Sequence, residues 1–141
     1  MSIYADTSFF VSLYVPDLHT IEVEKRLASK PMLWITPLHV AEWTHAIELH
    51  VFRGSASRSE ADRARRLFEQ HRQQGYWRPA SLPESAWELC AELAEKHAAR
   101  IGMRTLDTLH VAYALELKAD RFWTIDQRQA DLAVAVGLKT K

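Results

Sequence analysis

Short apolar runs alternate with helix-length segments along this chain, which predicts an α/β fold with a parallel sheet covered by helices. Three observations carry that expectation. The runs Ser2–Ala5, Met32–Ile35 and Phe122–Ile125 are continuous rather than alternating, as strands buried on both faces are. Each is followed by a segment with helix-start chemistry. Two of them end against an acid, Asp6 and Asp126, at the carboxyl end of a strand, where open α/β sheets place their ligands.

Taken in order, the first strand spans about residues 2–6 and leads directly into a helix from Thr7 to Tyr14. Pro16 and Asp17 stop it and start a second helix, about 18–29, which the Ser29-Lys30-Pro31 breaker ends. Met32–Ile35 is a buried strand. Thr36 as cap and Pro37 at the first helical position open a helix to about Phe52. Ser57 or Ser59 caps the next helix, which runs to about Gln74 before Gly75. Tyr76–Ala80 reads as an edge strand because Pro79 cannot donate to a ladder. Pro83 opens a helix to about Arg100, broken by Gly102. Thr105 or Asp107 caps a helix over Leu106–Leu117, followed by the strand Arg121–Ile125. A last helix, about 127–136, ends at Gly137, and residues 138–140 add a final short strand. No repeat, low-complexity tract or linker interrupts the 141 residues, so a single domain over 1–141 is expected.

Composition narrows the function classes. Charged residues make up 26% and apolar ones 48%, which is globular, and the formal net charge is zero, so there is no basic footprint of nucleic-acid binding. Acids gathered round a metal can nevertheless offset bases elsewhere. No apolar run approaches membrane-spanning length, and no basic region followed by a long apolar stretch opens the chain; a cytoplasmic protein is expected. The single cysteine, Cys90, forms neither a disulfide nor a thiolate zinc site and reads as helix filler.

The chemistry rests on Asp6, Glu42, Asp107 and Asp126. Capping explains Asp6 and Asp126 locally, Asp107 reads as a cap or a first-turn acid, and Glu42 also reads as an ordinary helical glutamate, although its neighbours are mostly apolar. Their joint placement at strand ends and on helices suggests a converging cluster, and converging carboxylates repel unless a cation holds them. Two other groupings compete. Glu42-x-x-His45 and Asp107-x-x-His110 have the spacing of a di-iron four-helix bundle, a fold with no place for the strands. The arginine-rich stretch Arg53, Arg58, Arg63, Arg65, Arg66, Arg72 and Arg78 reads as a solvated helix face or as a phosphate-backbone contact, with Tyr76 and Trp77 as core or as base-stacking residues.

Together these segments resemble a PIN domain, most closely a VapC-type toxin ribonuclease of a toxin–antitoxin system. The resemblance rests on Tyr4-Ala5-Asp6-Thr7-Ser8, Ala41-Glu42, Leu106-Asp107-Thr108-Leu109-His110-Val111-Ala112, and Ala119 through Asp126. It implies a three-layer α/β/α sandwich with a central parallel sheet of four to five strands. Its acidic quartet maps onto Asp6, Glu42, Asp107 and Asp126, with Asp126 at the family's most variable position. Asp120 precedes its strand, the wrong end of the sheet, and Asp131 lies a turn further along the last helix. The implied activity is Mg²⁺-dependent hydrolysis of RNA phosphodiesters, with Mn²⁺ as an alternative ion. An all-oxygen cluster suits magnesium, which binds carboxylates at about 2.0–2.1 Å and keeps several waters. One ion or two is left open. Thr7, Ser8 and Thr124 are supporting groups that orient water or phosphate, and Arg104 is a phosphate contact or a surface charge. The implied partners are a structured RNA (tRNA or rRNA), a cognate antitoxin and a second copy of the chain, with Phe9, Phe10 and Tyr14 as dimer surface or core. A non-catalytic PIN-like binding module and an RNA-maturation nuclease without a toxin role are the alternatives.

Overall fold

The computed structural model describes residues 1–141. Strand and helix follow one another as β1 (Ser2–Ala5), α1 (Thr7–Tyr14), α2 (Thr20–Leu27), β2 (Met32–Ile35), α3 (Pro37–Phe52) and α4 (Arg58–Gln73), then β3 (Arg78–Pro79), α5 (Ser85–Ile101), α6 (Thr105–Glu116), β4 (Arg121–Trp123) and α7 (Gln127–Ala135). The architecture is an α/β/α sandwich with a central parallel sheet of four strands. A four-helix bundle, and with it the di-iron reading, is thereby excluded. No helix is long and apolar enough to cross a membrane. The chain divides into two compact units, residues 1–6 with 81–141, and residues 7–80.

In the first unit β1 and β4 pair in parallel, with Ile3 opposite Arg121, Tyr4 opposite Phe122 and Ala5 opposite Trp123. Ile3, Tyr4, Ala5 and Phe122 have no accessible surface, as expected of strands covered on both faces. The Tyr4 and Phe122 rings stack at 5.9 Å, and the Tyr4 hydroxyl meets His110 Nδ1 at 2.8 Å, which ties β1 to α6. At the opposite end of the same strands Asp120 clasps β1: its Oδ2 accepts the Ser2 main-chain N–H at 2.7 Å and the Ser2 hydroxyl at 3.0 Å. The bond from the Ser2 N–H holds the Asp120 carboxyl below its ordinary range, so Asp120 is a structural acid. The expected final strand is a single bridge between Lys139 and Arg121, where the Phe122 N–H donates to the Lys139 carbonyl at 2.8 Å. Cys90 is buried against the Thr105 carbonyl, and burial pushes its thiol up, which fits packing rather than nucleophilic chemistry.

In the second unit β2 and β3 pair in parallel, Trp34 opposite Arg78 and Ile35 opposite Pro79. The strand expected over 76–80 has contracted to two residues: Trp77 turns inward as core, while Tyr76 stays 60% exposed. Phe9, Phe10 and Tyr14 are core as well, which removes them as dimer-surface candidates. Aromatic packing dominates this unit. Phe68 stacks on Trp43 at 4.1 Å and meets Tyr14 edge-on at 5.3 Å. The Tyr14 hydroxyl accepts from Trp77 Nε1 at 3.1 Å and lies 2.7 Å from His71 Nδ1. Burial pushes the Tyr14 phenol well above its usual range, so it stays protonated. Pro37 opens α3 as expected, and the Thr36 cap is doubled by His39, whose Nδ1 accepts the Thr36 N–H at 3.0 Å.

Candidate functional site

Asp6 follows β1 directly, and its N–H completes the parallel ladder by donating to the Trp123 carbonyl at 2.9 Å. That bond fixes the residue at the carboxyl end of the sheet, where its side chain is only 6% exposed. Thr124, the residue after β4, reaches it: the Thr124 hydroxyl lies 3.0 Å from Asp6 Oδ2 and 2.8 Å from Gln129 Oε1. The same hydroxyl oxygen accepts the Asp126 N–H at 3.0 Å. Asp126 is the N-cap of α7, its Oδ1 accepting the Gln129 N–H at 2.9 Å, while its side chain stays exposed. Gln129 Nε2 in turn donates to the Asp107 main-chain carbonyl at 3.1 Å. One chain of hydrogen bonds therefore joins the ends of β1 and β4 to the first turns of α6 and α7.

Asp107 is a first-turn acid of α6 and not its N-cap, the second of the two local roles that the sequence allows it. It is the third residue of the helix, and its Oδ2 reaches back to the Arg104 N–H at 3.3 Å and to Arg104 Nε at 3.4 Å. The Arg104 side chain is otherwise 84% exposed, which makes this ion pair weak and leaves the guanidinium in solvent. Asp131 is taken by Gln127, whose Nε2 donates to it at 2.8 Å, and it lines a surface groove with Arg100, Ile101, Val134 and Ala135.

Glu42 belongs to the second unit. It is half-buried on α3, and its Oε1 accepts the Thr7 hydroxyl at 2.8 Å from the start of α1. Ser8 is half-buried beside it in sequence. His45 is exposed, and His110 faces the Tyr4 hydroxyl, so neither shares a metal-ligand pair with its upstream acid. Within neither unit do three His, Cys, Asp or Glu side chains gather into a coordination set. Three of the seven arginines of the arginine-rich stretch are ion-paired: Arg58 grips Glu48 at 2.6 Å and 3.0 Å, Arg65 pairs with Asp62 at 2.6 Å, and Arg72 pairs with Glu69 at 2.7 Å. Arg78 lies over the Trp34 ring at 4.8 Å.

The PIN domain family model matches residues 3–135, nearly the whole chain. The chain belongs to the PIN-domain family. Solved structures of low identity superpose over nearly the whole of this chain. VapC20 of Mycobacterium tuberculosis, described as a toxin that cleaves the sarcin-ricin loop, is 20% identical with a TM-score of 0.70, covering 96% of this chain and 95% of that one. FitAcB from Neisseria gonorrhoeae is 16% identical with a TM-score of 0.68, covering 98% and 95%. VapBC2 from Rickettsia felis, solved with a DNA fragment of its promoter, is 12% identical with a TM-score of 0.67, covering 100% and 98%. No curated protein sequence matches this PIN chain.

Sequence reasoning missed Gln129. A neutral amide inside a helix carries no spacing signal, and only the folded network shows that it is fully buried beside the acids.

Proposed function

We propose that this PIN domain, read as one domain over residues 1–141, is a metal-dependent endoribonuclease and the toxin of a toxin–antitoxin pair, with Asp6, Glu42, Asp107 and Asp126 as its acidic site. The observation that carries the reading is the buried carboxylate of Asp6 at the carboxyl end of a parallel strand, in a chain whose family match spans 3–135. The donor set fits Mg²⁺ in kind, since every candidate ligand is oxygen. It also fits in number: Mg²⁺ keeps most of its waters and needs only one or two carboxylates, so the lack of a three-ligand cluster within either unit is no obstacle. Mn²⁺ would be held by the same donors.

In this mechanism Asp6 would be the central ligand, and Asp107, Asp126 and Glu42 would bind directly or through waters. The ion would acidify a water nucleophile and balance the charge growing on the phosphate. Thr124 and Thr7 hold Asp6 and Glu42 in place through the hydroxyl bonds at 3.0 Å and 2.8 Å. Ser8 would orient water or phosphate, and the Arg104 guanidinium, exposed at the start of α6, would serve as a phosphate contact. The substrate is a structured RNA of the tRNA or rRNA class, and the partners are a cognate antitoxin and a second copy of the chain.

The test is cleavage of a structured-RNA panel in Mg²⁺ or Mn²⁺ and then in EDTA, with Asp6→Asn purified identically. Asp6→Asn keeps an acceptor for Thr124, so it should fold normally and lose cleavage. Wild-type activity in Asp6→Asn, or undiminished cleavage in EDTA, would sink the mechanism.

A further inference from the structure

Gln129 is fully buried, and its two amide atoms face different partners. The Asp107 carbonyl, 3.1 Å from Nε2, can only accept, so the NH₂ group is held on that side and Oε1 is held toward Thr124. The Thr124 hydroxyl has one proton and two acceptors within reach, Asp6 Oδ2 at 3.0 Å and Gln129 Oε1 at 2.8 Å. Its oxygen is pinned by the Asp126 N–H at 3.0 Å, so the proton turns between the two acceptors without the heavy atoms moving.

We propose that Gln129 is a positioning residue that accepts the Thr124 proton when a divalent cation occupies Asp6, releasing Asp6 Oδ2 for the ion. The inference rests on the metal-dependent reading above. Without a cation, an ionised Asp6 offers the stronger acceptor although Gln129 Oε1 stands nearer, since charge-assisted bonds are roughly twice as strong as neutral ones. A cation neutralises Asp6 and competes for the same lone pairs. The Thr124 O–H then turns its hydrogen bond to Gln129 Oε1 instead of being left unpaired in a buried place. No covalent bond changes and no group is ionised.

The test is a calorimetric Mn²⁺ titration of the wild type, Gln129→Met, Thr124→Val and the double variant, each checked for fold by near-UV circular dichroism. Gln129→Met should weaken Mn²⁺ binding about five- to tenfold, the worth of one neutral hydrogen bond. In the Thr124→Val background the same substitution should change affinity less than about twofold, because there is no proton left to place. Equal effects in both backgrounds, or wild-type affinity in Gln129→Met, would overturn the proposal while leaving the nuclease reading intact. No Mn²⁺ binding by the wild type would overturn the nuclease reading, and the proposal with it. A second readout needs no Gln129 variant. Mg²⁺ should shift the Gln129 side-chain amide resonances of the wild type, and Thr124→Val should abolish that shift. An unmoved amide in metal-bound wild type counts against the switch.

Discussion

Asp126 has two candidate roles that a pair of substitutions separates. Its Oδ1 receives the Gln129 main-chain N–H at 2.9 Å, satisfying one of the free donors at the start of α7. Asp126→Ala deletes that acceptor, and the loss of an N-cap is worth about 1 kcal/mol. In a domain of this length that lowers Tm by about 2–4 °C. Asp126→Asn keeps an acceptor oxygen and caps about as well. It gives up only the charge at the helix N-terminus, about 0.3 kcal/mol for so exposed a side chain, which moves Tm by about 1 °C. Urea denaturation of the three proteins in EDTA measures the stability difference free of metal. Mg²⁺-dependent cleavage, measured on the same samples, should fall in both variants because both lose the carboxylate. The capping argument is refuted if Asn is as destabilising as Ala, or if Ala unfolds with the wild type. The metal-ligand assignment is refuted if Asn retains full cleavage.

Other outcomes follow from the second unit. Phe68→Ala removes a ring stacked on Trp43 and only 3% exposed, and should lower stability by about 3–5 kcal/mol in urea. Burial holds the His71 imidazole below its ordinary range, so the folded chain binds fewer protons than the unfolded one between that lowered value and the unfolded value of about 6.5. Its contribution should be complete above about pH 6.5 and be lost as the pH falls through the folded value, with a slope of at most ~1.4 kcal/mol per pH unit for one proton. The pH dependence in His71→Leu, compared with wild type from pH 5 to 8, should lack that step, and an unchanged profile would refute it.

The order of elements was legible because each depends on neighbouring residues. Thr36-Pro37 carries a helix start in its own chemistry, Gly102 sits in the left-handed conformation that ends α5 (φ 78°), and Pro79 marks an edge because it lacks an N–H. Asp6 was legible for the same reason, as an acid directly after an apolar run. What stayed hidden depends on residues far apart in the chain. Glu48, on the helix before the arginine-rich stretch, neutralises Arg58, and nothing in the local charge count shows it. His39 was hidden for a different reason: it lies only three residues after Thr36, at the capping-box position where Glu or Gln is the usual residue. Gln129 is the sharpest case. Its residue type is unremarkable, and its position matters only because α7 brings it beside Thr124 and the Asp107 carbonyl.

The margins of the sheet limit how this protein can meet another chain. At β3 the terminal strand is two residues long and one of them is Pro79, so it presents almost no ladder for a guest strand to extend. Beside β4 the Lys139 carbonyl already holds the Phe122 N–H, so the chain's own last residues stand where a guest strand would lie. Strand addition at either margin therefore meets little open ladder; a bare ladder would accept almost any extended peptide, whereas surfaces of helices and side chains select by shape and charge.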